Sequence, residues 1–483
     1  MKLKDLLADV QVLKINADPE MEIPSVEYDS RKVTPGCMFV AITGYATDGN
    51  KYIPMALEKG AAVIVTAKQP TGDFPYVLVS SDRLALARLG ANFFDHPADS
   101  MKLIGVTGTN GKTSSTLLLK HVLETVLGAK VGLMGTMENM IGHERIPAER
   151  TTPESFELQS LLARMRDGGC TYVIMEVSSH AIALERVGGL HYAVAAFTNL
   201  TGDHLDFHKT MEAYCDTKAE LFARCDRAVA NMDDGWFDRM LKKASCPVLS
   251  VSAKQEAGLY AADQELLSDG IRFTAVSGES RVPVRLTIPG KFTVYNALTV
   301  LGMAMQLGIS LKDAAKALES ASGVKGRVEV VPTPGKPYTV LIDYAHTPDG
   351  LENVLSSVKG FCKGRLIAVF GCGGDRDPSK RPVMGKIGVD IADIVMITSD
   401  NPRTEDPAAI IADIVKGIGE EKNNYEVIEN RVQAIYQAMD IAEKNDIIVL
   451  AGKGHETYQE IQGVKHHLDE REVIAAYLKE TRE

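Results

Sequence analysis

Short continuous apolar runs recur along the chain, each closed by a glycine or a polar turn. MFVAI, AAVIV and YVLVS come first, then LIGVTG, YVIMEV and AVAAFTNL, then YTVLIDYA, RLIAVFGCGGD, DIVMITSDNP and DIIVLAGKGHE. Runs without polar alternation predict strands buried on both faces, the habit of parallel sheets. Helical spacing fills the gaps, as in residues 83–94 and in GKTSSTLLLKHVLETVL, so strands and helices alternate in α/β fashion. A chain of 483 residues is too long for one core, and roughly two to four domains are expected. DHPADS closes a first segment, and prolines and glycines at 332–337 make a linker before the last. The predicted architecture is three α/β domains: a small one over 1–98, a central phosphate-loop domain with a mostly parallel sheet over 99–330, and a Rossmann-like one over 331–483. Strand ends there run into polar or glycine-rich loops, where such sheets place ligands.

Composition narrows the function classes. Apolar residues make up 45% and charged residues 24%, and 53 Lys+Arg against 64 Asp+Glu leave a net charge of −11. That balance argues against general binding to nucleic acid or to an anionic membrane. The first twenty residues lack the apolar core of a signal peptide, and no run approaches a membrane span. The seven cysteines are scattered without a CxxC pair, so buried reduced thiols and a cytoplasmic location are expected.

Candidate chemistry starts at GVTGTNGKTSS, residues 105–115, between a predicted strand and a predicted helix. Successive backbone N–H groups at a helix start favour an anion, glycines let a phosphate approach, and Lys112 adds a point charge. The hydroxyl of Thr113 suits Mg²⁺. The usual loop has four residues between its first glycine and GK, and counting back from Gly111 reaches Val106 instead. The shorter GTNGKT resembles the loop of the Mur ligase superfamily, which includes folylpolyglutamate synthetases. Its members use ATP to join a carboxylate to an amine through an acyl phosphate. Phosphorylation gives the carboxylate a good leaving group but sets anion against anion, and metal ions and cationic side chains must screen that repulsion.

The resemblance implies ATP binding by Gly108, Thr109, Asn110, Gly111, Lys112, Thr113 and Ser114, and by Asn296 in PGKFTVYNALTVLGMA. Thr293 stands there where the family often has asparagine. Arg327, Asp343 and His346 are implied to meet nucleotide phosphates or ribose. Glu176, ending the strand in MEVSSH, is positioned beside the loop to meet Mg²⁺ with Thr113. The family pattern adds His204 as a metal contact, and Lys218 as a carbamate (N6-carboxylysine) that turns a cation into an acid. Lys112, Glu176, His204 and Lys218 are the implied catalytic set.

The resemblance covers nearly the whole chain. YDSRKVTPGCMFVAITGYATDG, residues 28–49, resembles the uridine-nucleotide-binding start of the muramoyl-peptide ligases, with Ser30 as the contact. Thr151, Thr152, Ser178 and Arg186 resemble the segments that hold UDP-N-acetylmuramoyl-L-alanyl-D-glutamate. SDNPRTEDP, residues 399–407, is turn chemistry, and its Arg403 has two readings: it balances Glu405 and Asp406, or it grips an acid from outside. The D-N-P-R pattern, Asp400, Asn401, Pro402 and Arg403, resembles the family's motif for meso-diaminopimelate. Arg403 is then implied to clamp the distal carboxylate, Arg376 the other carboxylate, and Gly452 and Glu456 to receive the rest, with Glu456 on the ammonium. An L-lysine-adding ligase is the nearest alternative. A folylpolyglutamate synthetase leaves the first 98 residues without a task, and a nucleotide-dependent binding module would bind nucleotide without forming an amide. A monomer is expected, with ATP and Mg²⁺ as cofactors and neither nucleic acid nor membrane insertion.

Overall fold

The computed structural model describes residues 1–44, 47–267 and 269–480; Tyr45 and Ala46, inside the 28–49 segment, lie outside the described residues. The chain forms two compact units, Met1–Val251 with Thr299–Ser310, and Ser252–Leu298 with Leu311–Glu483.

The first unit holds two sheets. A five-stranded sheet runs in the order Val12–Asn16, Tyr76–Val79, Val63–Thr66, Met38–Val40, Val26–Glu27, parallel except for its first pair. The helix Asp82–Phe93 follows it, with Ser81 accepting from the Leu84 N–H as its cap. This helix packs on Ser155–Asp167 of the next domain. Gly90 permits the approach, since a Cβ there would lie 3.3 Å from Phe156. Phe93, Phe94 and Phe156 cluster with ring centroids 5.1–5.7 Å apart, and Tyr28 bonds Glu157 across the same seam. The predicted first domain and residues 99–251 of the predicted central one thus share one compact unit.

In the central sheet, Lys102–Thr107 lies between Tyr172–Glu176 and Val194–Phe197. Ala228–Asn231 and Val248–Ser252 continue the parallel array on one side and Val131–Met134 on the other. An antiparallel pair, Glu138–Ile141 and Glu144–Pro147, follows Val131–Met134. The three middle strands run parallel, so the loops after Thr107, Glu176 and Phe197 emerge at one edge of the sheet.

The second unit carries an antiparallel meander, Leu259–Leu267, Gly270–Ser277 and Ser280–Leu286. Its main sheet has six strands in the order Glu329–Val331, Thr339–Asp343, Ile447–Ala451, Leu366–Phe370, Ile394–Ile397, Tyr425–Val427, antiparallel only at the first edge. Leu341, Ala368 and Val449 face the helices Pro348–Lys359, Lys380–Ile391 and Pro407–Val415, while Val340, Ile367 and Ile448 face Arg431–Ile441 and Glu470–Glu480. Both faces are covered, which accounts for the unbroken apolar runs. A hairpin, Tyr458–Ile461 with Val464–His467, completes the unit. No helix among the described residues is long and apolar enough to cross a membrane, and all seven cysteines are free thiols.

Candidate active site

The phosphate loop is shaped by its backbone. Gly108 has φ 145° and Gly111 φ 85°, and a Cβ on Gly108 would sit 2.0 Å from Thr198 Oγ1. Only glycine fits there. Gly111 ends the loop, and the helix Lys112–Leu127 starts immediately after it. The loop after Phe197 braces this turn: Thr109 N donates to Asn199 O at 2.8 Å, Asn110 N to Asn199 Oδ1 at 2.9 Å, and Thr198 Oγ1 to Asn110 O at 2.6 Å. Lys112 curls back, its Nζ donating to the carbonyls of Gly108 at 2.9 Å and Thr109 at 2.8 Å. Thr113 is buried in the first turn.

Lys218 lies against this loop, and Glu176 ends the strand paired beside Lys102–Thr107. Glu176 is 1% exposed, and Thr136 holds both its oxygens, donating from N to Oε1 at 3.0 Å and from Oγ1 to Oε2 at 2.9 Å. Lys218, also 1% exposed, donates to Gly108 O at 3.0 Å and reaches Thr107 Oγ1 at 3.5 Å. Burial, reinforced by the charge of Lys112, pushes its ammonium pKa well below the usual lysine range. An amine so placed is biased towards the neutral form that can take up CO₂. His204 is half exposed, with Nε2 3.4 Å from Asp203 Oδ2 and its ring edge-on to His180 at 4.8 Å.

Among the described residues no cluster of three or more His, Cys, Asp or Glu side chains holds a metal by itself. One carboxylate, one hydroxyl and a convertible amine beside a phosphate loop do suit Mg²⁺, which is commonly bound by one or two carboxylates together with substrate phosphates. The donor set fits.

The residues expected to hold the muramoyl dipeptide lie on the same edge. Thr152 Oγ1 donates to Glu176 O at 2.8 Å and accepts from Ser178 N at 3.2 Å. Thr151 meets Thr136 hydroxyl to hydroxyl at 3.1 Å. Arg186 donates to Thr152 O at 3.3 Å and pairs with Glu154 at 3.3 Å. Ser30, in the first sheet's domain, is buried, and its carbonyl accepts from Lys59 Nζ at 3.0 Å.

In the second unit the loops after Phe370, Ile397 and Ala451 interlock. Gly374 N donates to Asn401 O at 2.9 Å, and a Cβ on Gly374 would lie 2.0 Å from Pro402 O. Arg403, at φ 52°, donates Nη1 to Gly374 O at 2.8 Å, and its Nε stands 3.5 Å from Glu460 Oε2. Its backbone joins the hairpin, N to Glu460 O at 2.9 Å and O from Gln462 N at 2.6 Å. Glu405 does not need Arg403: Arg381 Nη2 holds both its oxygens at 2.8 and 2.9 Å. Asp406 instead caps the helix Pro407–Val415. Arg376 is exposed, donating to Asp375 O at 2.9 Å. Asn401 Nδ2 donates to Glu456 Oε2 at 2.9 Å. Gly452, at φ 115°, would put a Cβ 2.6 Å from Asp400 Oδ2.

The expected nucleotide residues of this unit form a second group. Asp343 is buried, which pushes its carboxyl pKa above the usual range, and both its oxygens accept backbone N–H groups, from Val328 and Ala345, each at 2.8 Å. It thereby ties the turn bearing Arg327 to the one bearing His346. The Arg327 guanidinium lies 5.1 Å from the Tyr344 ring, and His346 shares a bond with Tyr344 O at 2.7 Å. Asn296 is buried on the helix Lys291–Gln306. The Thr293 hydroxyl is buried and donates to Pro289 O at 3.0 Å. Sequence reasoning missed Thr136, Glu154, Asn199, Lys453 and Glu460. Each acts across a gap in sequence or through backbone contacts that local patterns do not carry.

Residues 22–88 match the model "Mur ligase family, catalytic domain", 106–304 "Mur ligase middle domain", and 326–454 "Mur ligase, glutamate ligase domain". A Clostridium botulinum protein named UDP-N-acetylmuramoyl-L-alanyl-D-glutamate–2,6-diaminopimelate ligase is 49% identical over 95% of this chain and 96% of its own. A Clostridium tetani protein of the same name is 47% identical over 99% and 100%. A solved structure titled with that name superposes with a TM-score of 0.75 at 33% identity, covering 100% of this chain and 99% of its own. A Mycobacterium tuberculosis folylpolyglutamate synthase shares the fold, with TM-score 0.63 at 18% identity over 83% of this chain and 95% of its own.

Proposed function

Because this chain belongs to the Mur ligase family, we propose that it is the ATP-dependent ligase adding meso-diaminopimelate to UDP-N-acetylmuramoyl-L-alanyl-D-glutamate. The observation that carries the acceptor assignment is Arg403. Its neighbour Glu405 is already taken by Arg381, so the surface-balance reading loses its main partner. A guanidinium has five N–H donors; with one on Gly374 O and Nε facing Glu460, those left on the two terminal nitrogens can meet a carboxylate as a fork. L-Lysine offers no distal carboxylate, and its ammonium would face that guanidinium.

ATP lies with its phosphates over the loop 108–113, where the backbone N–H groups and Lys112 take the negative charge. Thr151, Thr152, Ser178 and Arg186 hold the dipeptide so that the D-glutamyl γ-carboxylate oxygen attacks the γ-phosphorus. The bond to the ADP oxygen breaks and an acyl phosphate forms. The acceptor amine then attacks the acyl carbon, the tetrahedral intermediate loses phosphate, and the amine proton leaves to solvent or phosphate. Mg²⁺ bound with the phosphates supplies charge neutralisation; Thr113, Glu176, His204 and carbamylated Lys218 would hold it. Asn296, Arg327, Asp343 and His346 serve the nucleotide, and Ser30 the uridine end. Arg376, Gly452 and Glu456 complete the acceptor site. We place the enzyme in the cytoplasm, where ATP is available and thiols stay reduced, as a monomer.

The test is product mass from ATP, Mg²⁺, UDP-muramoyl dipeptide and either amino acid. The diaminopimelate tripeptide is expected. Equal use of L-lysine overturns the acceptor assignment.

A further inference from the structure

Lys453 has no role in the reading above, yet it is the most enclosed charge at the acceptor site. It is 0% exposed. Its Nζ donates to Asn401 Oδ1 and to Glu456 Oε2, both at 3.0 Å, and lies 5.6 Å from the centre of the Tyr458 ring. Glycines flank it, Gly452 at φ 115° and Gly454 at φ 54°. Their left-handed turns let the loop after Ala451 close tightly enough to bury the lysine between two loops.

Both the oxygen and the nitrogen of the Asn401 amide are engaged by this arrangement. Its Oδ1 accepts from Lys453 and from Glu460 N at 2.9 Å, while its Nδ2 donates to Glu456 Oε2 at 2.9 Å. Two donors on one atom fix which way the amide faces. Glu456 Oε2 therefore receives two donors, Lys453 and Asn401, while among the described residues no such bond engages its Oε1. Burial of Lys453 without a carboxylate would be costly, and burial of Glu456 without a cation likewise. Each makes the other's position tolerable.

We propose that Lys453 is a positioning residue for the acceptor: together with Asn401 it pins one oxygen of Glu456 and so presents the other to the ammonium on the acceptor's distal carbon. Asn401 on this account acts as a strut between loops. The inference rests on the diaminopimelate reading. Removing the ammonium of Lys453 frees Glu456 to rotate and leaves its charge uncompensated, so the effect falls on acceptor binding, through Glu456.

The experiment is a double-mutant cycle of Lys453→Met and Glu456→Gln, read as KM and kcat for each substrate, with thermal melts as fold controls. Charge-assisted hydrogen bonds of this kind correspond to roughly ten- to a hundredfold in affinity. Lys453→Met is expected to raise KM for meso-diaminopimelate by about tenfold or more, leaving KM for ATP and for the UDP-dipeptide unchanged. In the Glu456→Gln background the same substitution is expected to add little, because its route is already removed. Equal losses in both backgrounds, or a rise in all three KM values, overturn the proposal. If Lys453→Met does not fold, Asn401→Ala removes the strut from the other side and is expected to show the same acceptor-only rise; an unchanged KM there overturns it too. A wild type that joins no diaminopimelate overturns the acceptor assignment and this inference together, whereas an active wild type with an unaffected variant overturns the inference alone.

Discussion

Two lysines in this molecule are equally hidden and differently treated. Lys218 bonds a threonine hydroxyl and a glycine carbonyl, both uncharged, with Lys112 as a repelling neighbour. Lys453 bonds a carboxylate. Burial alone does not assign a role; the partner does. Without an anion, a buried amine is pushed towards neutrality and becomes open to chemistry. With one, it becomes a fixed cation that organises whatever it touches. The two surrounding loops differ likewise. The loop 108–113 is moulded by glycine backbone and local sequence, whereas the proposed acceptor site is assembled from side chains on loops far apart in the chain.

The most severe break in this comparison is at Lys218. Lys218→Ala is expected to lower kcat by about a hundredfold or more, the scale of losing one charge-stabilising group, with Lys218→Glu recovering part of it. Intact mass of active enzyme should show one added CO₂, and an unmodified lysine removes the carbamate. Next comes Arg403→Ala, expected to raise KM for meso-diaminopimelate by roughly ten- to a hundredfold while ATP binding, measured by titration, stays put. Gly108→Ala sharpens the contrast from the backbone side: a methyl in the space of Thr198 Oγ1 should cost about 1–3 kcal/mol of stability by denaturant unfolding and weaken ATP binding.

The smallest expected effect is on pH dependence. Hydrogen bonding to Arg381 holds the Glu405 carboxyl below its ordinary value of 4.5. A depressed carboxylate pKa contributes stability that is present above the unfolded value and is lost as pH falls through the folded one. Glu405 is part-exposed, so its share is small. Unfolding midpoints should drop below pH 4.5, and less so in Glu405→Gln.

Strand positions were legible because strands covered on both faces need unbroken apolar runs, and Lys102–Thr107, Tyr172–Glu176 and Ile447–Ala451 have them. GTNGKT was legible for a related reason: its work is done by consecutive backbone groups. Thr136 was not, because its partnership with Glu176 spans forty residues and exists only through strand order. Arg381 and Glu405 are 24 residues apart, so SDNPRTEDP alone left both readings of Arg403 standing. Lys453 sits in AGKGHE, and nothing in that stretch signals its bond to Asn401, 52 residues away. The hairpin Tyr458–Ile461 with Val464–His467 has no buried residue on either strand and gave no continuous apolar run.

The aromatic seam between the helices Asp82–Phe93 and Ser155–Asp167 has a practical corollary for dissecting the protein. Cutting near residue 98 would expose Phe93 and Phe94 to water, a sticky end that favours aggregation. The first 98 residues are therefore a poor candidate for isolated expression, and a soluble truncation should retain the second helix as its lid.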